Sequence, residues 1–212
     1  MNLFDRWGSR QAGLFTFPES PRHVGLYQKF GFWPQGLTPL LEKTLNPAGE
    51  TTYSTFSEVR ESGRDTALAG CRDLAESIFA GLDLGSEILA TDAHGLGETV
   101  FLDGQDGIDG FAVCHCGGGT EAGSGACYIK FGAARPGDGA SKRFERLLDA
   151  CESLAADRGL DRLVAGCNTA RHGAYRTLLG RGFRAFLNGL AMLRPNEPGY
   201  NRPEAWVIDD LR

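Results

Sequence analysis

Ala134-Arg135-Pro136-Gly137-Asp138-Gly139-Ala140 joins a β-rich run, Gly125 to Ala134, directly to the strongest helix signal in the chain. Beyond it, Ala140, Phe144, Leu147, Leu148, Cys151, Leu154 and Ala155 recur on one helical face, and Ser141, Lys142, Arg143, Glu145, Arg146, Asp149 and Glu152 take the other. Gly159 stands where that helix should stop. Glycines in such a strand-to-helix loop let backbone N–H groups turn inward, and the helix adds its positive end. A phosphate or pyrophosphate suits that geometry, with Arg135, Lys142 and Arg143 as counter-charges. The alternative is an ordinary turn rich in glycine. A Gly-Lys-Ser/Thr ending and a third spaced glycine are both missing, so neither common nucleotide loop fits.

Working outward, Leu160 to Cys167 reads as a strand, Ala170 to Leu179 as a helix, and Phe183 to Leu193 as a final strand or two. On the other side, Glu98 to Leu102, Ile108 to Cys116 and Gly125 to Ala134 are strand candidates, the first two joined by a turn at Asp103-Gly104 through Gly107. A helix capped by Asp65 carries Leu68, Cys71, Leu74, Ala75, Ile78 and Phe79 at helical spacing. Leu84 to Ala93 suggests a shorter one, and Thr52 to Val59 a first strand. The order predicts an α/β fold, a sheet with helices on both faces. Before Asn46, a helix within Pro18 to Phe32 and a strand at Leu37 to Leu41 are too little to bury a core of their own. Asn46-Pro47-Ala48-Gly49 reads as a linker.

The bulk properties exclude several classes. The net charge of -5 leaves no basic footprint for nucleic acid, and no apolar run is long enough for a membrane span. Asp5 and Arg6 interrupt the place where a signal peptide would be apolar, which predicts a cytoplasmic protein. Cys114 and Cys116 flank His115, but on a strand the thiols and the imidazole point to opposite faces, and no second ligand pair follows. The expectation is no metal.

Strand, glycine loop, long amphipathic helix, strand, Asn168, helix with Tyr175, Gly182-Phe183, strand: this succession resembles the GNAT superfamily of acyl-CoA-dependent N-acetyltransferases. The resemblance implies the GNAT fold, a mixed central sheet with helices on both faces, over residues 51–195. It implies acetyl-CoA as cosubstrate, its pyrophosphate on the backbone of Arg135, Gly137, Asp138, Gly139 and Ala140, and its pantetheine arm along Phe131, Gly132 and Ala133. Asn168 would contact the cofactor and Tyr175 would act as general acid. Residues 22–32, from Arg22-His23 through Leu26-Tyr27 to Gly31-Phe32, resemble the same closing motif, so residues 1–46 read as the remnant of a first unit in a tandem. Residues 196–212 form a C-terminal tail, expected, with Tyr200 and Trp206, to dock on the sheet or to complete a partner's.

This sequence departs from the family's pattern in two places. Counting from Arg135, Asp138 stands where the family's loop has its first glycine, and Leu178, not Tyr175, lies four residues before Gly182. For a general base the central strands offer only Asp109 and His115. Asp73, Glu76, Asp83, Glu87 and Asp92 would favour a cationic amine acceptor, a small molecule or peptide, or are simply a solvated helix face. Acyl transfer therefore competes with a catalytically silent acyl-CoA-binding or scaffold module. The unpaired N-terminal segment predicts packing on the main unit or exchange within a homodimer.

Overall fold

The computed structural model describes residues 4, 6, 8–45, 51–105 and 107–211; the linker expected at Asn46 to Gly49 lies outside them. In chain order the elements are β1 (Ala12–Thr16), α1 (Pro21–Lys29), β2 (Trp33–Thr44), β3 (Ser54–Thr55), α2 (Glu61–Ile78), α3 (Gly85–Ala93) and β4 (Gly97–Gly104). There follow β5 (Gly107–Cys116), β6 (Ala126–Ala134), α4 (Ala140–Asp157), β7 (Arg162–Gly166), α5 (His172–Gly180), β8 (Arg184–Arg194) and β9 (Val207–Ile208). All the strands join one sheet in the order β1-β8-β2-β7-β6-β5-β4-β3, and β9 pairs with β6 beside that path. Among the described residues only β6 and β7 form a parallel ladder, and the other ladders are antiparallel.

Side chains alternate across the sheet and sort into two cores. Val100 and Leu102 of β4 and Ala112 and Cys114 of β5 pack with α4 and α5 on one face. Phe101, Phe111 and Val113 pack with Cys71, Leu74 and Ile78 of α2 and Ile88 of α3 on the other. Each buried aliphatic or aromatic side chain here contributes about 1.5–3 kcal/mol.

The segment before Asn46 is no appendage. β2 lies in the middle of the sheet, antiparallel to β7 on one side and to β8 on the other, with Leu40 and Leu41 buried. It runs well past the expected Leu37–Leu41, and β1, which lacks a strong alternation, pairs with β8. The first strand is shorter than Thr52–Val59. Glu58 accepts the Thr55 N–H and Glu98 the Ser57 N–H, so side chains replace the ladder after Thr55 and the chain turns. Helix α2 begins at Glu61, a turn before Asp65, which lies inside the helix and does not cap it.

The cysteines are all free thiols, and every one but Cys116 is buried. Burial raises the Cys71 thiol to about 12 and that of Cys167 to about 11, which keeps them protonated and inert. Among the described residues no group of three His, Cys, Asp or Glu could hold a metal, and no helix is long and apolar enough to cross a membrane.

Candidate functional site

Parallel pairing of β6 with β7 runs from Ala126–Arg162 to Ile129–Ala165 and then ends. The cause is a bulge: Val113 faces Phe131 but Cys114 faces Ile129, so Lys130 is an extra residue that bends β6 away. The strands splay, and the glycine loop sits at the end of β6, opening α4. Gly137 and Gly139 adopt φ of 95° and 78°, a region open to glycine and strained for other residues. The loop from Pro136 to Gly139 is exposed, and nothing lies within 4 Å of a Cβ built on Gly137. An anion can reach the N-terminus of α4 there.

The expected counter-charges are mostly engaged. Arg135 donates from Nε to the Ile108 carbonyl at 3.0 Å and pairs through Nη2 with Asp73 at 2.9 Å. Arg143 folds back to donate to the carbonyls of Arg135 and Pro136. Both side chains clamp the loop, and exposed Lys142 is left to meet a phosphate. Asp138, also exposed, puts a negative charge at the same mouth.

Asn168 is fully buried and turned inward. Its Nδ2 donates to Thr38 Oγ1 at 2.9 Å and its Oδ1 accepts the Ala170 N–H, so it fastens β2 to the turn before α5. Tyr175 is half-buried on α5 and packs against the α4-side core, as does Trp206. Phe131, Gly132 and Ala133 do line the splay, but the backbone of Gly132 and Ala133 is already paired with Ile208 and Val207 of β9.

The tail is thus part of the site, and sequence reading missed how. Arg171, with no exposed surface, donates to the carbonyls of Val207 and Asp209 and to Asn201 Oδ1, each at 3.0 Å. Tyr128 donates to Asp210, which is buried, and Tyr200 to Asp209 at 2.5 Å. Burial, and then the charge of Asp209, holds the Tyr200 phenol well above its ordinary value. The readable signals were the apolar Trp206-Val207-Ile208 run and the acidic pair behind it.

Neither base candidate stands in the splay. Asp109 sits by the β4–β5 turn, where its carbonyl accepts the Arg135 N–H. His115 is buried against α3, with Nε2 at 3.5 Å from Thr91 Oγ1 and 3.7 Å from Glu87. A cavity of about 240 Å³ lies on the α3 side of the splay, lined by Leu84, Glu87, Lys130, Phe131, Tyr200 and Asp209. The helix acids are largely committed: Asp73 to Arg135, Asp83 to Arg72, Asp92 to Arg64, Glu76 to the Gly81 N–H.

Solved acetyltransferase structures share this fold. A GCN5-related N-acetyltransferase from Sphaerobacter thermophilus superposes with a TM-score of 0.57 at 16% identity, over 89% of this chain and 61% of that one. An acetyltransferase from Pyrococcus horikoshii gives 0.61 at 14%, over 98% and 62%. One from Novosphingobium aromaticivorans gives 0.53 at 16%, over 86% and 73%.

The fold is the GNAT fold.

No family model and no curated protein matches the sequence. The chain spans about three fifths of the length of the first two structures. Here the splay between β6 and β7 holds the chain's own residues 206–209.

Proposed function

We propose that this chain is an N-acyltransferase unit that moves an acetyl group from acetyl-CoA to an amine. The observation that carries the reading is the exposed loop of left-handed Gly137 and Gly139 opening α4 at the mouth of the splay. Backbone N–H groups and a helix N-terminus there suit a pyrophosphate, with Lys142 adding charge. The phosphate end of the cofactor fits the residues present. The pantetheine end does not fit while Val207 and Ile208 pair with β6.

Tyr175 is the side chain we assign to proton donation, and the cavity beside Glu87 and Asp209 is the entry we assign to the amine. The test is release of free thiol from acetyl-CoA, at up to millimolar concentration, across a panel of amines. Turnover that falls on Tyr175→Phe while acetyl-CoA binding holds would support the assignment. Failure of acetyl-CoA and desulfo-CoA to bind any folded form, with ATP as control, would sink the reading. One observation favours the silent module instead: Arg135, Arg143 and Asn168 are all engaged in holding structure. Under that reading Tyr175→Phe changes nothing.

A further inference from the structure

The splay leaves backbone on two sides without a β6–β7 partner, Gly132 to Ala134 of β6 and Gly166 at the end of β7. Residues 206–210 fill it as a strand would. Val207 and Ile208 pair antiparallel with Ala133 and Gly132, the Ala134 N–H donates to the Trp206 carbonyl, and Asp209 donates its N–H to Gly166. Their side chains alternate like those of any sheet strand: Val207 enters the α2-side core and Ile208 the α4-side core.

The body is also shaped to receive this segment. A Cβ placed on Gly166 would fall 2.3 Å from the Asp210 Cβ, and one on Gly173 2.9 Å from the Trp206 ring. A Cβ on Gly13 would meet Leu211 at 2.9 Å. Three glycines on three elements thus make hollows for Trp206, Asp210 and Leu211, the last shared with Leu193. At Gly166 and Gly173 no positive φ is involved, so the missing side chain and not the backbone angle is what the site requires. Arg171 completes the seat, using all three of its donor nitrogens on the segment and on Asn201 before it.

We propose that residues 205–211 are a strap in a shared groove: the β6–β7 groove accepts either this segment or an extended, amide-bearing ligand with a phosphate end, and the first excludes the second. The inference rests on the N-acyltransferase reading for the identity of that ligand, the pantetheine arm of acetyl-CoA. Exclusion follows from the backbone groups themselves, because one N–H or carbonyl on the inner edge of β6 cannot pair with two strands. The phosphate cradle stays open throughout, so the strap blocks the arm and not the anion. An apparent affinity is divided by the fraction of molecules with the groove open. The intact chain therefore binds acetyl-CoA weakly, and opening the groove raises the affinity by roughly tenfold or more.

The experiment compares the intact chain, a chain ending at Pro203, Gly166→Ala and Gly173→Ala, each checked for folding by circular dichroism. The two glycine variants keep the chain length and press only on Asp210 or Trp206, so the test survives if the shortened chain does not fold. Calorimetry with acetyl-CoA should give at least tenfold tighter binding in the opened forms, and a peptide of residues 204–212 should compete with it on the shortened chain. In the intact chain, saturating acetyl-CoA should speed amide exchange at Val207 to Asp209. Equal, tight binding by all forms, or bound acetyl-CoA with those amides still protected, overturns the strap and leaves the N-acyltransferase reading standing. Absence of binding by every folded form overturns both.

Discussion

Two stretches of this molecule are built alike and buried differently. β1–α1–β2 and β7–α5–β8 are both strand-helix-strand units; Pro21 and His172 open the helices and Trp33 and Arg184 the second strands, so both pairs stand 151 positions apart. Gly31-Phe32 and Gly182-Phe183 end the two helices, with both glycines at positive φ and both phenylalanines buried. Yet α5 buries Ala174 and Leu178 beneath α4, whereas α1 buries nothing. Leu26 of α1, Phe30 at its end, and Trp33 and Leu37 of β2 remain exposed. Local pattern fixes the shape of such a unit, and its neighbours decide what the unit contributes.

The largest test of that contrast is a matched pair of truncations. Leu178→Ala leaves a cavity between α5 and α4 and should cost about 2–5 kcal/mol by urea denaturation. Tyr27→Ala, at the matching place on α1, should cost less than about 1 kcal/mol. Equal losses would mean that α1 is covered in solution, and a concentration-dependent midpoint would identify a second copy as the cover.

A second test asks how firmly the first unit is seated. A Cβ on Gly189 of β8 would fall 1.9 Å from the Phe15 ring of β1. Gly189→Ala should therefore destabilise by about 1–3 kcal/mol through overpacking. Adding Phe15→Leu should recover part of the loss, since the two sites are in contact and not additive. A neutral Gly189→Ala would show that β1 leaves the edge of the sheet at little cost.

Much of this was legible in the sequence where period and punctuation agree. The α4 face from Ala140 to Ala155, the strands on either side of it and the loop between them are local signals, and the structure keeps them. Three things were not legible. The central place of β2 depends on pairing with β7 and β8, more than a hundred residues away, which no local pattern encodes. The structural engagement of Arg135 and Asn168 depends on which acceptors, Ile108 O or Thr38 Oγ1, the fold brings within reach. The strap reads as a tail because a two-residue ladder leaves almost no periodic trace; its fit shows only in the glycine hollows on other elements.

A smaller effect separates α4 from α1. Asp138 precedes α4 at an exposed loop, and no acidic residue stands in the first turn of α1. Asp138→Asn should lower stability by about 0.3–1 kcal/mol, the worth of a carboxylate near a helix N-terminus. The same change should raise the affinity for acetyl-CoA in a form with the groove open, because a like charge leaves the phosphate cradle. Opposite signs in denaturation and calorimetry identify an anion site; a loss in both would make the loop structural.

The last contrast is between a buried imidazole and an exposed helix. His115 lies against α3 and β6, facing Thr91, Glu87 and the Tyr128 ring, with Glu121 and Lys130 beyond. Burial is the main influence and lowers its pKa below 6.5, outweighing the nearby glutamates. The folded state therefore holds the neutral ring, while the unfolded chain takes up a proton as the pH drops through about 6.5. Below that point the unfolded state binds more protons, so stability is full above it and declines until the pH reaches the lower, folded pKa. Thermal unfolding between about pH 7 and 5 should show this decline, and His115→Gln should flatten it, with His23→Gln on exposed α1 as control. A slope untouched by His115→Gln would clear the imidazole of the acid sensitivity.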